Sequence, residues 1–314
     1  MKIALITPAA PQSRSGNRNT TTRWAAMLRE LGHRVEIATQ WDGKPADAML
    51  ALHARRNYDS IKRFAVRYPD RPLIVTLTGT DLYHDIRVDA DAQESLRLAT
   101  RLIVLQDMGL RELSPAVAKK TRVVYQSAQA LKPRTPLKNS FEVCVIGHLR
   151  EVKDPLRAAY ALQYLPISSK IHIKQMGSAL ESEMERAAQA MMACEPRYHW
   201  LGELPHWKVR QYLARSRAMV ISSRMEGGAN VVSEALMADV PVIASYVSGN
   251  IGMLGEDYPG YYPFGEERSL AAMLSRVETD SAFLRLLQRH GRERKKRISA
   301  LQEKRALAAI LREI

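Results

Sequence analysis

Long apolar runs are missing from this 314-residue sequence, and their absence sets the first limit on what the chain can be. No stretch approaches the roughly 20 apolar residues that a membrane-crossing helix requires. The apolar segment nearest the N-terminus, Ile3 to Ile6 after Met1-Lys2, is too short for the core of a secretory signal and suits a first buried strand. A cytoplasmic protein without stable membrane insertion is expected. Cysteine is almost absent: Cys144 lies within an apolar run and Cys194 near a helix end, with neither metal-ligand nor redox spacing, so both are expected to be buried, reduced thiols. Aromatic residues make up 6% of the chain and do not interleave with basic ones in the way that stacks bases, which places nucleic acid behind other acidic partners. None of the eight histidines pairs at metal-ligand spacing, and no hydrolase-type nucleophile turn occurs. Asp89-Ala90-Asp91 lies in a charged loop ahead of a helix with no buried strand before it, so helix capping is the better reading and no metal is expected.

What is present in excess is positive charge, 47 basic against 33 acidic residues, a net +14. Such a field draws phosphorylated small molecules, anionic lipid and nucleic acid alike, and net charge alone does not choose between them. The length suits two domains with separate cores, and the 46% hydrophobic content is ordinary for a globular protein.

Along the chain, apolar runs of strand length alternate with segments of helical spacing. Lys2 to Thr7 reads as a strand, Pro8 to Asn17 as a turn, Thr20 to Leu31 as a helix stopped by Gly32, and His33 to Thr39 as a second strand. The turn carries one glycine where a dinucleotide fingerprint carries three, which argues against a dinucleotide site. Further strands are expected at Ala48 to Leu52, Leu73 to Leu77, Leu102 to Leu105 and Arg122 to Tyr125. Periodicity then disappears, and Pro133 and Pro136 mark a linker over 128–140. A second alternation begins at Phe141, with strands to Gly147, Lys170 to Met176, Tyr198 to Leu201, Ala218 to Ser222 and Pro241 to Ala244, and helices between them, one over Pro155 to Leu165. From Glu266 the chain reads as helix throughout, with a basic segment Arg292 to Arg297 and an apolar face at Leu307, Ile310, Leu311 and Ile314. The expected class is α/β, with Rossmann-like domains at 1–127 and 141–296 facing across a cleft that ligands enter at the carboxyl ends of the strands.

Two stretches carry candidate chemistry. In Ser222 to Ala235, a strand runs through Gly227-Gly228 into a helix, and Glu226 and Glu234 stand eight positions apart. A glycine pair there brings backbone amides close to a ligand, and the helix start favours an anion. Two carboxylates so placed could grip two sets of sugar hydroxyls, while the plainer alternative is a helix capped by Asn230 with Glu234 on a solvated face. In Val145 to Pro155, a strand ends at Gly147, and His148, Arg150 and Lys153 follow within six residues. Such a turn can hold a diphosphate, or it can be a polar turn with Asp154-Pro155 starting a helix.

Taken in order, Gly147-His148-Leu149, Lys153, Gly202-Glu203-Leu204-Pro205, Ser222-Ser223, Glu226 and Glu234, and Pro241 to Ser245 resemble the nucleotide-sugar domain of retaining GT-B glycosyltransferases of family four. The likeness is strong over 141–250 and looser before it. It implies a GT-B fold whose C-terminal helix, 297–314, crosses back to complete the first domain. It further implies that Lys153 and Arg150 bind the donor diphosphate, Arg150 replacing the arginine that stands in the family where this chain has His148. Glu226 would contact the donor sugar, Glu234 the ribose, and Gly202 and Leu204 the base. Gly227, Gly228, Ala229 and Asn230 would serve sugar and phosphate, and Gly16-Asn17 would close over the phosphates. Arg150, Lys153 and Glu226 are the implied catalytic group.

The family's histidine after the fourth strand is replaced here by Leu77 to Tyr83. That stretch, together with Gly16 to Thr21, is similar to the selenosugar synthases of the selenoneine pathway, which transfer N-acetylglucosamine from UDP-N-acetylglucosamine to selenophosphate and form a carbon–selenium bond. The resemblance implies a metal-independent transferase with a UDP-sugar as co-substrate and no separate cofactor. The acceptor, small and highly anionic, would meet Arg14, Arg18, Thr20, Arg23, Thr78, Gly79, Thr80 and Asp81. Other readings stay open: a family-four transferase acting on a lipid or glycan, a nucleotide-sugar epimerase on the same fold, and a basic nucleic-acid-binding protein. The oligomeric state is not indicated.

Overall fold

The computed structural model describes residues 1–13 and 15–314. The chain forms two compact units, one made of Met1–Ser127, Glu226–Asn230 and Arg297–Ile314, the other of Ala128–Met225 and Val231–Lys296.

The first unit holds strands β1 (Lys2–Ile6), β2 (Arg34–Ala38), β3 (Ala48–Leu52), β4 (Leu73–Leu77), β5 (Arg101–Val104) and β6 (Thr121–Val123). All pair in parallel, in the order β2-β1-β3-β4-β5-β6. β3 and β4 are buried along their whole length, which is why their sequences show no polar alternation: both faces of a parallel sheet are covered. Ile3, Leu5, Leu50, Leu52 and Ile74 point to one face and pack with Trp24 and Leu28 and with Leu307, Ile310 and Leu311 of the C-terminal helix. Ala4, Ile6, Met49, Ala51, Val75 and Leu77 point to the other, against Trp41, Ile61, Phe64 and Leu96. Each fully buried leucine or isoleucine contributes about 1.5–3 kcal/mol relative to exposure.

Helix α1 runs from Gly16 to Glu30, starting four residues earlier than the apolar spacing suggests, because the Ser15 side chain accepts from the Arg18 amide and caps the helix there. Gly16 and Asn17 therefore occupy a first helical turn rather than a loop.

The second unit holds β7 (Phe141–Ile146), β8 (Ile171–Met176), β9 (Tyr198–Trp200), β10 (Ala218–Ile221), β11 (Val242–Ser245) and β12 (Tyr261–Tyr262), again parallel, in the order β12-β11-β10-β7-β8-β9. Two elements escape sequence reading, the helix Ser248–Leu254 and the two-residue strand β12 between Gly260 and Pro263, since neither is long enough to show a period. The expected helix over Pro155 to Leu165 is shorter, Arg157–Ala161, and closes with a tight turn at Leu162–Tyr164. The helical tail is broken into Glu267–Thr279, Ser281–Lys295 and Ala300–Arg312, because the side chains of Asp280 and Ser299 cap the second and third. Asp89 likewise caps the helix Ala90–Leu98 by accepting from the Ala92 amide. Cys144 is buried, which pushes its thiol up to about 12. Cys194 is exposed, contrary to expectation, because the helix Ser182–Cys194 fully buries only Ala188. Among the described residues no helix is long and apolar enough to cross a membrane.

Each sheet reverses its order once, between β1 and β3 in the first unit and between β7 and β10 in the second. At such a point the connections leave the strand ends in opposite directions and open a crevice. The ends of β7, β8 and β9 are also laced together: the Gly177 amide donates to Gly202 O at 2.8 Å, and the Gly147 amide donates to Met176 O at 2.9 Å. Gly177 has φ +147°, and a Cβ there would lie 2.0 Å from Gly147 O. Gly177→Ala should therefore lower stability by about 2 kcal/mol or more, seen as a drop of several degrees in the thermal midpoint. An unchanged midpoint would show that the lacing yields freely.

Candidate active site

In the second unit the order reversal places the end of β7 beside the end of β10, with Val145 in register with Val220. The two following loops are joined where the Arg224 amide donates to Val152 O at 2.9 Å. The first of these loops carries His148, Arg150 and Lys153. Arg150 is half-buried, and its Nε is buried with no hydrogen-bond partner among the described residues. Lys153 ends a single tight turn, Glu151–Lys153, after which Asp154 takes a left-handed φ of 43° and pairs with Arg157 at 2.8 Å. His148 Nδ1 accepts from the Ser178 amide at 3.3 Å and meets the Ser178 hydroxyl at 2.7 Å, which leaves its proton on Nε2. Burial above all, with Arg150 and Lys153 also acting, holds His148 below its ordinary 6.5, against the charge of Glu203. The end of β10 is fixed from below: Ser245 Oγ donates to Ser223 O at 2.7 Å, and Asn250 Nδ2 donates to Ser245 O and Oγ, each at 3.0 Å. Gly202 and Leu204 follow β9 on the same edge of the sheet.

Glu234, in the helix Asn230–Met237, does not lie on a solvated face; its side chain is 13% exposed and meets His206 Nε2 at 3.0 Å. His206 was not foreseen. It opens the helix His206–Arg215, and its 28-residue separation from Glu234 leaves no trace in local periodicity. Ser178 was missed for the same reason.

The first unit gathers the rest. Glu226 is buried at 7% exposure. A Cβ on Gly227 would sit 2.0 Å from Thr78 O, and one on Gly228 would sit 2.5 Å from Leu105 Cβ, so close packing within the unit demands both glycines. Thr78 and Gly79 form the opposing turn, shaped by Asp81, whose Oδ1 accepts from their amides at 2.8 and 2.9 Å and whose Oδ2 accepts from the Ala54 amide at 3.0 Å. Asp81 is completely buried. Its carboxylate shapes the turn. Thr80 is exposed, with its hydroxyl 3.4 Å from Nε2 of His53, a buried residue at the end of β3 with a left-handed φ of 83°. Thr20 is buried too: its hydroxyl donates to Gly16 O at 2.9 Å and accepts from Gln126 Nε2. Arg23 bonds to Glu303 and Asn230, and Arg18 is half-buried on α1. Arg14 lies outside the described residues. Among the described residues no group of three or more His, Cys, Asp or Glu is arranged to hold a metal ion.

An open depression of about 520 Å³ lies elsewhere on the first unit, lined by Trp41, Gly43, Lys62, Arg63, Val66 and Arg67. It contains none of the predicted site residues.

Residues 128–297, more than half of the chain, match the family described as glycosyl transferases group 1. The chain belongs to this family. Its fold is the GT-B fold of α/β glycosyltransferases. It is similar over 100% of both chains to the Anabaena HepE protein in complex with UDP and glucose, at 16% identity and a TM-score of 0.80. Sucrose-phosphate synthase from Thermosynechococcus elongatus is similar over 99% of this chain and 98% of its own, at 16% identity and a TM-score of 0.82. A glycosyltransferase from Rickettsia africae follows at 13% identity, 99% and 98% coverage and a TM-score of 0.74.

The hydrogen bond of His206 to Glu234, helped by that carboxylate's charge and opposed by burial and Arg210, raises the imidazole above 6.5. A raised folded-state value means that the pair stabilises fully below 6.5 and that this contribution fades as pH rises through the raised value. In urea titrations the wild type should lose more stability than His206→Gln between slightly acidic pH and about pH 8.5. Parallel pH profiles would show the pair to be energetically silent.

Proposed function

We propose that this chain is a retaining, metal-independent glycosyltransferase that moves N-acetylglucosamine from UDP-N-acetylglucosamine to selenophosphate, giving a selenosugar and UDP. One observation carries the donor half. At the order reversal between β7 and β10, Arg150 presents a buried Nε with no hydrogen-bond partner among the described residues, in a turn that also bears Lys153 and a histidine that burial holds below its ordinary 6.5. A buried guanidinium donor without an acceptor calls for an anion. A diphosphate supplies one whose negative charge grows as it leaves, so fixed cations favour the transition state over the ground state. HepE, solved with UDP and with UDP-glucose, supports uridine diphosphate as the carrier.

In the proposed step the bond between the anomeric carbon and the diphosphate oxygen breaks, its electron pair leaving on UDP, and a bond from that carbon to selenium forms, the phosphoryl group staying on selenium in the immediate product. Selenophosphate reaches the site already anionic, so the step needs little general-base help. Glu226 holds the sugar, Glu234 holds the ribose with His206 orienting it, and Arg150 and Lys153 hold the leaving diphosphate. The acceptor half rests on the likeness of Gly16 to Thr21 and Leu77 to Tyr83 to selenosugar synthases.

Mass spectrometry should find a selenium-bearing sugar and UDP after incubation with UDP-N-acetylglucosamine and selenophosphate, and no such product with phosphate. Consumption of the UDP-sugar without a selenium-bearing product would overturn the acceptor, and no turnover of any UDP-sugar would overturn the donor. Lys153→Ala and Glu226→Ala should each lower kcat/KM by about 100-fold or more while the thermal midpoint holds. Near-normal rates in both variants would sink these assignments.

A further inference from the structure

The C-terminal helix Ala300–Arg312 carries a carboxylate with no solvent exposure, that of Glu303. Its Oε1 accepts from Trp24 Nε1 at 2.6 Å and from Arg23 Nη2 at 3.1 Å. Its Oε2 accepts from Arg23 Nε at 2.9 Å, from the Ser127 amide at 2.9 Å and from the Ser127 hydroxyl. Hydrophobic residues would fill this space at least as stably, since the desolvation of a buried ion pair can cancel its attraction. What a charged pair adds is direction, because a guanidinium held at two nitrogens points its third along a fixed line. That third nitrogen, Arg23 Nη1, donates to Asn230 Oδ1 at 3.3 Å. Asn230 closes the Glu226–Asn230 segment, and its Nδ2 lies 3.5 Å from where a Cβ on Gly16 would be. One buried carboxylate thus orients Arg23, and Arg23 grips the end of the segment that begins with Glu226.

We infer that Glu303 is a positioning residue for sugar binding: acting through Arg23 and the Asn230 carboxamide, it holds the Glu226–Asn230 segment in the conformation that receives the donor sugar. The inference rests on the proposed reading of Glu226 as the sugar-holding carboxylate. It assigns Arg23 an internal task rather than an acceptor contact, and it gives the last helix a part in substrate recognition in addition to its packing.

The test separates sugar from nucleotide. Affinities of the full-length protein for UDP-N-acetylglucosamine and for UDP alone, measured by calorimetry, should respond differently to Glu303→Gln. UDP-N-acetylglucosamine should bind about tenfold more weakly or worse, the worth of one charge-assisted hydrogen bond, while UDP stays within about twofold. Arg23→Lys keeps a cation beside Glu303 but cannot span both partners, so it should reproduce the selective loss even if Glu303→Gln fails to fold. Combining either change with Asn230→Ala should add little to the effect of Asn230→Ala alone, because all three act on one line of contacts. Equal loss of both ligands, unchanged affinity for both, or additive losses with Asn230→Ala would overturn the inference. If Glu226→Ala leaves UDP-N-acetylglucosamine binding intact, the sugar-site reading fails first and takes this inference with it. If Glu226→Ala is defective while Glu303→Gln and Arg23→Lys bind as wild type, the inference alone fails.

Discussion

In an all-parallel sheet every strand delivers its next residue at the same edge, and this constraint organises both units. Helices must return the chain across the faces, so the strands are covered on both sides and become nearly continuous apolar runs. The polar residues that remain are concentrated where the strands end. In the second unit that edge carries Gly147-His148, Gly177-Ser178, Gly202 and Ser222-Ser223, drawn from four strands scattered over more than seventy positions of sequence. The order reversal between β7 and β10 then decides which of these ends stand beside an opening.

Charge works within that frame at two levels. The net +14 sets a general attraction for anions but identifies none. Individual charges divide into those committed to the protein and those that are not. Glu303, Asp81 and Glu142 are buried carboxylates; backbone amides, Trp24 and Arg23 satisfy the first two, and Arg215 meets Glu142 at 2.9 Å. Arg150 Nε is buried without such a partner among the described residues. Arg217 Nε and Arg197 Nη1 share that condition, and an unpaired buried donor is unfavourable by about 1–3 kcal/mol.

Glycine shows how one residue type serves different ends. A glycine pair ahead of a helix suggests close approach of a ligand to the backbone. At Gly227 and Gly228 the close approach is to Thr78 and Leu105 within the first unit. The same absence of a Cβ that would admit a phosphate admits another stretch of chain, and no local pattern distinguishes the two.

Periodicity was sufficient for the fold class and most strand positions, because a two-residue or 3.6-residue repeat is written into consecutive residues. The elements it missed, β12 and Ser248–Leu254, are too short to hold a repeat, and the breaks at Asp280 and Ser299 depend on caps that an unbroken helical spacing conceals. Which polar residue faces which is settled only when the chain packs. Glu303 meets Arg23 across 280 positions, Glu234 meets His206 across 28, and Asp81 turns inward to its own loop. Such pairings are set by where the sheet edge and the covering helices bring side chains together. Local pattern in consecutive residues dictates the layers and the edge; the side-chain partners at that edge are properties of the packed chain.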